Sequence, residues 1–482
     1  MTPFILFCFV LFYFLILLSV AWYTGRNSNN ESFFIGNRDS NWMLVAFGMI
    51  GTSLSGVTFV SVPGSVAKDC FSYFQISIGY LIGYLVVAFI LLPLYYKIQL
   101  TSIYNLLNDR LGFYSYKTGA SFFILSRTLG ATARLYLVVK ILQDSILQNL
   151  GIPFWATTII ILFMIILYTF QGGVKTIVWT DTLQTVCMIT GLIVCVVFIM
   201  NKLNLNIGQS LDAMSVKGYS KIFFSNPNSK LYFLKQIIAG AFISITMTGM
   251  DQEMMQKNIS VKKLADSQKN VITMAIIMLF VILLFLFLGG LLYLFAGQQN
   301  ISATGDKLFP TIVLTYMPPF VGVIFIIALI SALFPSADGA ITALTSSFCI
   351  DILSINRKDD MSEQKRKWIR HLVHLSFAFV FLLFVMIYKW IDNASMIGVI
   401  LKIAAYTYGP LLGLFSFSIL THKQVMDKYV PFICVISPVL CFILDSNQKQ
   451  WFGSFEIGLE LLVINGLLTF IGLFIISKQP NL

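Results

Sequence analysis

The chain has 482 residues, of which 57% are hydrophobic and only 11% are charged, and its mean hydropathy is +0.84. This much apolar surface excludes a soluble protein and predicts a polytopic helical membrane protein. The formal net charge of +11 fits basic cytoplasmic loops that face anionic lipid better than nucleic-acid binding. The seven cysteines are scattered without a CxxC pair, so neither a disulfide framework nor a metal cluster is expected.

Thirteen apolar stretches are long enough to cross a bilayer, for which about 20 residues suffice. The first, from Thr2 to Tyr23, lacks a basic start and a small-residue cleavage site, which predicts a retained span. The others are 42–67, 73–97, 116–148, 153–171, 177–200, 232–250, 270–297, 320–351, 369–390, 394–420, 429–446 and 456–477. An odd number of spans separates the termini, and the basic run from Arg357 to Arg370 predicts an outside N-terminus and a cytoplasmic C-terminus.

Two of these spans carry helix-breaking residues at mid-depth. Gly48–Thr58 in the second span contains three glycines and four hydroxyl side chains, and Gly240–Gly249 in the seventh span is similar. Small residues also let helices pack closely, but interruptions five spans apart favour an inverted-repeat transporter with a midplane site. The predicted parts are an N-terminal helix and loop (1–41), a first repeat (42–200), an external loop (201–231), a second repeat (232–421) and two C-terminal helices (422–482).

The ninth span, 320–351, carries Pro335, Ser336 and Asp338 close to its middle. Polar groups at lipid depth are costly and usually mark an ion or substrate path. Pro335 also withholds one backbone donor, which could free carbonyl oxygens one turn earlier for a ligand. This segment is therefore predicted to hold a cation.

Five groups of short motifs follow one another over nearly the whole chain. They are Gly51–Phe59 with Pro63-Gly64; Pro93–Tyr96 with Leu106–Gly112; Gly172-Gly173 with Trp179–Asp181 and Gln184; Gly249–Gln252 with Gln256-Lys257; and Ser336–Asp338 with Asp351-Ile352. In this order they resemble the sodium:solute symporter family, which includes sodium-coupled sugar, proline and sialic acid transporters. The resemblance implies a five-plus-five inverted-repeat fold, alternating access, and a sodium site between the spans at 42–67 and 320–351.

Carried over by motif, the resemblance implies a defined set of sodium ligands. They would be the backbone carbonyls of Gly51, Leu54 and Ala332 and the hydroxyl of Ser336. Oxygen ligands suit a hard monovalent cation, and an unwound helix supplies carbonyls that the helix ladder otherwise uses. The sequence departs from the family at Pro335, where a second hydroxyl-bearing residue is common.

Two carboxylates within the predicted spans, Asp181 and Asp338, are further candidate sodium ligands. Some relatives bind a second sodium ion with a carboxylate at the position of Asp181, so the resemblance implies one or two co-transported sodium ions. Asp181 could instead border the cytoplasmic start of its helix, whereas Asp338 lies at the centre of its span and is expected to be functional. A protonated Asp338 would leave a proton-coupled transporter as an alternative.

Arg134 in the fourth span is the best indication of the substrate, and Arg127 lies seven residues earlier on the same helical face. Arginine keeps its charge and offers a planar fork that matches a carboxylate. In sialic acid transporters of the family an arginine in the corresponding span holds the substrate carboxylate, and Arg134 resembles it. Pairing with Asp338, Asp144 or helix carbonyls is the alternative. The other candidate substrate-binding residues are Ser53, Ser55, Thr58 and Gln75.

The sequence thus predicts an all-α sodium-coupled symporter that imports a small polar organic solute, either sugar-like or a carboxylate such as sialic acid. No nucleophile motif, phosphate loop or metal cluster suggests an enzyme. The rivals are a proton-coupled transporter and a membrane sensor with a transporter fold, although the short tail after Ile476 argues against a signalling domain. The expected partners are the solute and the lipid bilayer of the bacterial inner membrane, with no nucleic acid and no obligatory protein partner.

Overall fold

A computed structural model of the chain describes residues 3–26, 30–98, 102–355, 361–391 and 396–478, and these are mostly helical. The apolar helices are α1 (Pro3–Thr24), α2a (Trp42–Ser53), α2b (Gly56–Asp69), α3 (Tyr73–Ile98), α4 (Phe113–Leu150), α5 (Phe154–Phe170), α6 (Gly173–Leu203), α7a (Phe233–Gly249), α7b (Gln252–Ile259), α8 (Leu264–Gln299), α9 (Pro319–Ile352), α10 (Glu363–Ile391), α11a (Met396–Thr407), α11b (Gly409–Leu420), α12 (Asp427–Phe452) and α13 (Leu461–Ile475). Arg357 and Lys358, which begin the basic run used to orient the chain, lie outside the described residues.

Eight of these helices are long and apolar enough to cross a membrane, and the count reaches 11 if each bent pair forms one span. The helices α5 and α13 are apolar but shorter. All thirteen predicted stretches coincide with one of these helices or bent pairs, so the prediction of a polytopic helical membrane protein is confirmed. The seventh stretch was expected to end at residue 250, but the chain turns there and continues as α7b.

Both predicted interruptions are present. The axes of α2a and α2b differ by 54°, and those of α7a and α7b by 65°. Leu54 leaves the helical region with φ −91° and ψ 69°, which ends α2a. At the second break the Asp251 carboxylate caps α7b, because it accepts hydrogen bonds from the backbone N–H groups of Glu253 at 2.9 Å and Met254 at 3.2 Å.

Two further breaks were not anticipated. The helices α11a and α11b meet at 43° around Tyr408, and Gly409 and Pro410 directly follow the bend. Between α5 and α6 the chain turns at Gly173, which has φ +52° and ψ −140°. A side chain at Gly173 would also lie 2.6 Å from the Cα of Phe33, so only glycine suits both the backbone conformation and the contact.

Short elements connect the apolar helices. The additional helical segments are Asn30–Ile35, Gly36–Arg38, Asn105–Arg110, Ile207–Val216, Gly305–Lys307 and Leu308–Tyr316. The strands β1 (Gln424–Val425) and β2 (Ser477–Lys478) form one antiparallel pair, the only departure from the predicted all-α class among the described residues. The helix Ile207–Val216 gives the predicted external loop a folded segment.

The most enclosed helix is α9. Every residue from Ala328 to Ser347 is buried, whereas only 22% of the apolar window of α12 is buried. Helices α2, α4, α6 and α7b pack around α9. The polar residues that the sequence places in the middle of α9 therefore lie at the centre of the molecule, next to the breaks in α2 and α7.

Candidate functional site

The break in α2 packs directly on α9. A Cβ atom at Gly51 would be in ordinary contact with Cγ of Pro335 at 3.4 Å and would lie 2.3 Å from Oγ1 of Thr185, which would have to shift. On the other side of the break, a Cβ atom at Gly56 would lie 3.6 Å from the backbone nitrogen of Leu333. The structure thus brings the predicted sodium ligands of α2 next to those of α9.

The break also releases backbone oxygen atoms. Leu54 N donates to Ile50 O at 2.8 Å, and the ladder resumes where Phe59 N donates to Ser55 O at 3.1 Å. Between these bonds, no backbone N–H of the described residues donates to the carbonyl oxygens of Gly51 or Leu54. Two of the predicted sodium ligands are therefore carbonyls without a helical partner, as a cation site requires.

On the facing side, Pro335 lacks an N–H group, so the carbonyl of Ser331 loses its helical donor. The Ser336 hydroxyl donates to Leu333 O at 2.8 Å, which leaves its oxygen lone pairs available to a cation. The Ser331 hydroxyl lies 2.6 Å from the Tyr13 hydroxyl of α1, so it already has a partner.

A cavity of about 90 Å³ lies beside the α2 break. Its lining includes four of the predicted substrate-binding residues, namely Ser53, Ser55, Thr58 and Arg134. The sequence analysis missed the three tyrosines of α3, Tyr73, Tyr80 and Tyr84, which also line it. Their spacing of seven and four residues places them on one helical face, so the sequence could have predicted that they line the same side of the cavity.

The fifth predicted residue, Gln75, is not among the cavity-lining residues. Its side-chain amide donates to the carbonyl oxygens of Ser72 at 3.3 Å and Leu231 at 3.2 Å, and its Oε1 accepts from Phe224 N at 3.4 Å. Gln75 lies two residues after Tyr73 and therefore points away from the tyrosine face. In this structure it fastens the connection between α6 and α7a.

The two arginines of α4 have different surroundings. Arg127 Nε donates to Oε2 of Glu253 at 2.6 Å, and its Nη1 lies 3.7 Å from Oδ2 of Asp251. Arg134 forms no ion pair or hydrogen bond with any residue that the structure describes, and it faces the cavity. The alternative in which Arg134 pairs with Asp338 or Asp144 is thus not observed. A guanidinium cannot neutralise itself by losing a proton, so the half-buried Arg134 favours an anion beside it.

Asp181 has a cationic partner from α7b. Lys257 Nζ lies 2.7 Å from Oδ2 of Asp181 and donates to Oγ1 of Thr52 at 2.6 Å. The same ammonium is 3.7 Å from Oε1 of Glu253. The sequence analysis noted Gln256-Lys257 only as part of a motif, and it did not predict this ion pair because the motif says nothing about distances between helices.

Asp338 is fully buried, and its Oδ2 accepts a hydrogen bond of 2.6 Å from the Tyr168 hydroxyl of α5. Gln184 and Oδ1 of Asp181 lie in the same region, and their polar atoms have no hydrogen-bond partner among the described residues. Asp338 therefore does not face the substrate cavity, although it lies only two residues from Ser336.

A profile of the sodium:solute symporter family matches residues 33–427. The chain belongs to this family. It is 24% identical to the sodium/sialic acid symporter SiaT of Proteus mirabilis, over 97% of this chain and 94% of the relative. It is also 24% identical to the sodium-coupled monocarboxylate transporter 1 of Mus musculus, over 89% of this chain and 69% of the mouse protein.

Solved structures show the same fold. A substrate-bound, outward-open Na⁺-coupled sialic acid symporter superimposes with a TM-score of 0.84 at 19% identity, and it covers 99% of both chains. The nucleobase-cation-symport-1 family transporter Mhp1, in a closed conformation, gives a TM-score of 0.60 at 11% identity over 93% of this chain and 95% of Mhp1. The predicted broken-helix transporter fold is confirmed.

Family membership establishes the general activity. The chain is an integral membrane protein and a sodium-coupled symporter, with sodium as its co-transported ion. The sodium/sialic acid symporter NanT of Aliivibrio fischeri, 24% identical over 94% of this chain and 90% of the relative, belongs to the same group of transporters. The proton-coupled transporter and the membrane sensor are not favoured by these relationships.

Proposed function

We propose that this symporter imports a small solute that bears a carboxylate, and that Arg134 binds that carboxylate. The observation that supports this is the contrast with Arg127, whose charge is compensated by Glu253, whereas Arg134 reaches the cavity without a partner among the described residues. A guanidinium forms two parallel hydrogen bonds with a carboxylate, which gives both affinity and orientation.

The remainder of the cavity accommodates the uncharged part of the solute. Hydroxyl groups come from the α2 break, from α3 and from α7a, where Ser244 and Thr248 line the cavity. The apolar part of the lining comprises Leu54, Val57, Ile243, Met247, Met254, Met278, Ile282, Ile397, Ile400 and Leu401. Sialic acid and monocarboxylates, the cargoes named for the SiaT symporter and for the mouse transporter, share a carboxylate, which supports this substrate class.

The proposed sodium site is the α2 break, with the carbonyls of Gly51, Leu54 and Ala332 and the hydroxyl of Ser336 as ligands. A cation there would join α2 to α9 and fix the backbone that carries Ser53 and Ser55 into the cavity. Sodium and solute would then raise each other's affinity by stabilising the same conformation. The membrane potential contributes about 2.3 kcal/mol per 100 mV for each charge that crosses.

The proposed architecture follows the two breaks. The segments 42–200 and 232–421 are the two inverted repeats, with α2 and α7 as their first helices, and they exchange access between the two sides of the membrane. Residues 1–41 and 422–482 are additions to this core, and 201–231 connects the repeats on the outside. We place the N-terminus outside and the C-terminus in the cytoplasm of a bacterial inner membrane.

Thermal unfolding of the purified protein tests the cargo. N-acetylneuraminate, short monocarboxylates and neutral sugars are each added in sodium or in potassium chloride. We expect a carboxylate to raise the melting temperature in sodium only, and Arg134→Gln to abolish this shift. Lys402→Gln is the control because Lys402 pairs with Asp445 of α12 at 2.7 Å, away from the cavity. A neutral sugar that stabilises the wild type and Arg134→Gln equally would overturn the proposal.

A further inference from the structure

We propose that Lys257 is a built-in cation that closes the Asp181 carboxylate to a second sodium ion, so that the symporter carries one sodium ion in each cycle. This rests on the sodium site proposed at the α2 break, and it concerns how many ions accompany the solute. It replaces the expectation that Asp181 is itself a sodium ligand.

The ammonium group of Lys257 is buried among side-chain oxygen atoms. Lys257 is 2% exposed, and its Nζ contacts oxygen atoms of three side chains: Asp181 Oδ2 at 2.7 Å, Thr52 Oγ1 at 2.6 Å and Glu253 Oε1 at 3.7 Å. The ammonium donates hydrogen bonds to Asp181 and Thr52, whereas Oε1 of Glu253 is close enough for electrostatic attraction but not for a hydrogen bond. The carboxylate and hydroxyl oxygens that would otherwise surround a metal ion here bind a cation that belongs to the chain.

The neighbouring helices leave little room around this ammonium. A Cβ atom at Gly339 of α9 would lie 3.2 Å from Lys257 Nζ and 2.3 Å from Oε1 of Glu253, so the α9 backbone lies against the pair. On the opposite side, a Cβ atom at Gly48 of α2a would lie 3.1 Å from Cβ of Asp181. A sodium ion could reach Oδ2 of Asp181 only by displacing Lys257, which α7b holds in place.

Lys257 does not contact every polar atom near Asp181. Oδ1 of Asp181 and the side-chain amide of Gln184 are buried without a hydrogen-bond partner among the described residues, so a cation could be imagined there. Such an ion would lie beside the Lys257 ammonium in a region with a low dielectric constant, where like charges repel each other strongly. Lys257 pairs with Asp181 at 2.7 Å, so an ion at Oδ1 would share this carboxylate with a cation that is already in place.

The contact with Thr52 places Lys257 next to the proposed sodium site. Thr52 lies directly after Gly51 and two residues before Leu54, which are two of the proposed sodium ligands. Lys257 therefore connects α7b, α6 and the last turn of α2a immediately beside the sodium site. A fixed charge in this place supports the α2 break during every cycle without being transported.

Saturation binding of ²²Na⁺ to the purified full-length protein tests the inference with sodium alone. For the wild type we expect one ion per chain and a Hill coefficient near 1. In Lys257→Gln the Asp181 carboxylate loses its partner, so we expect a second ion and a Hill coefficient above 1. The paired variant Lys257→Gln/Asp181→Asn is neutral at both positions and should again bind one ion. It leaves no unpaired carboxylate, so it provides a second measurement if the single variant folds poorly.

Two wild-type ions, one of which is lost in the paired variant, would overturn the inference, because Asp181 would then be a sodium ligand despite Lys257. A folded Lys257→Gln protein that still binds one ion would also overturn it. Ser336→Ala separates the two proposals: if this variant binds sodium as tightly as the wild type, the proposed site at the α2 break is wrong, whatever the number of ions.

Discussion

Arg134 lies two helical turns beyond Arg127 on the same face of α4, yet only Arg127 has a carboxylate partner among the described residues. Both arginines line the same cavity. One guanidinium is thus part of a buried ion pair between α4 and α7b, and the other is available to the solute. The chemistry of the two side chains is identical, so their different roles follow from the placement of Glu253 and Asp251 beside Arg127.

The first prediction concerns the Arg127–Glu253 pair. Removing one partner of a buried ion pair leaves an uncompensated charge, which typically costs about 3–5 kcal/mol. We therefore expect Arg127→Gln to lower the free energy of unfolding by this order, and Arg127→Gln/Glu253→Gln to recover much of the loss. Denaturant unfolding of the four proteins in a double-mutant cycle measures the coupling. A stable Arg127→Gln protein that has lost only carboxylate binding would contradict this assignment.

The second prediction concerns Arg134 and the strength of solute binding. Hydrogen bonds to a charged partner contribute about 1.5–3 kcal/mol, so Arg134→Gln should weaken binding of a carboxylate solute by roughly 10- to 150-fold. Arg134→Lys keeps the charge but loses the planar fork, and its affinity should fall between the two. Isothermal titration in sodium chloride measures this series. Equal affinities for all three proteins would place the carboxylate elsewhere.

The third prediction concerns the contact between α2 and α9. A methyl group at Gly51 would lie 2.3 Å from Oγ1 of Thr185, so in Gly51→Ala either the Thr185 side chain or α2 must shift, whereas the methyl group would be in ordinary contact with Cγ of Pro335 at 3.4 Å. We expect a weaker sodium affinity, measured as the sodium concentration at half-maximal thermal stabilisation. Gly297→Ala is the matched control, because a Cβ atom there meets nothing within 4 Å. Equal shifts in the two variants would rule out a special role for the α2 break.

The number and type of the helices could be predicted from the sequence because each span is a long apolar run. The breaks in α2 and α7 could be predicted for a related reason, since glycines and hydroxyl residues are unusual at lipid depth. The bend between α11a and α11b lies beside Thr407, Gly409 and Pro410, so the sequence carries a local signal for it that was overlooked, because proline removes a helical hydrogen bond.

The site was predicted less completely than the fold. Gly51, Leu54, Ala332 and Ser336 could be proposed because a motif identifies them. The contact between Lys257 and Asp181 joins residues 76 positions apart on different helices, and no local pattern records it. Gln75 was expected to line the cavity, but its side chain instead forms a hydrogen bond with the connection between α6 and α7a.

The fourth prediction concerns pH and the segment Gly305–Lys307, which lies outside the apolar spans. Burial raises the pKa of Asp306, whose Oδ2 accepts a hydrogen bond of 3.1 Å from Met396 N. A raised pKa means that the folded protein binds the proton more tightly than the unfolded chain, so this contribution to stability is lost as the pH rises through the folded-state pKa. Asp306→Asn should therefore flatten the fall of the melting temperature as the pH rises above the usual range of a carboxyl group. Parallel pH profiles for the wild type and Asp306→Asn would contradict this.

The fifth prediction concerns Pro335, where the sequence departs from the family pattern. A serine would add a hydroxyl oxygen beside Ser336, close to where Gly51 meets α9. It would also restore an N–H donor to the carbonyl of Ser331. If the added oxygen reaches the ion, Pro335→Ser should lower the sodium concentration needed for half-maximal ²²Na⁺ binding several-fold, while the number of ions stays the same.

The matched control for this variant is Pro438→Ser, because Pro438 also interrupts a helix but lies in the peripheral α12. It should change the melting temperature without changing sodium affinity. A Pro335→Ser protein with weaker sodium binding would show that the freed Ser331 carbonyl matters more than an added hydroxyl. In that case Pro335 is an adaptation of the site, because it frees the backbone oxygen of Ser331 to take the place of the missing side-chain hydroxyl.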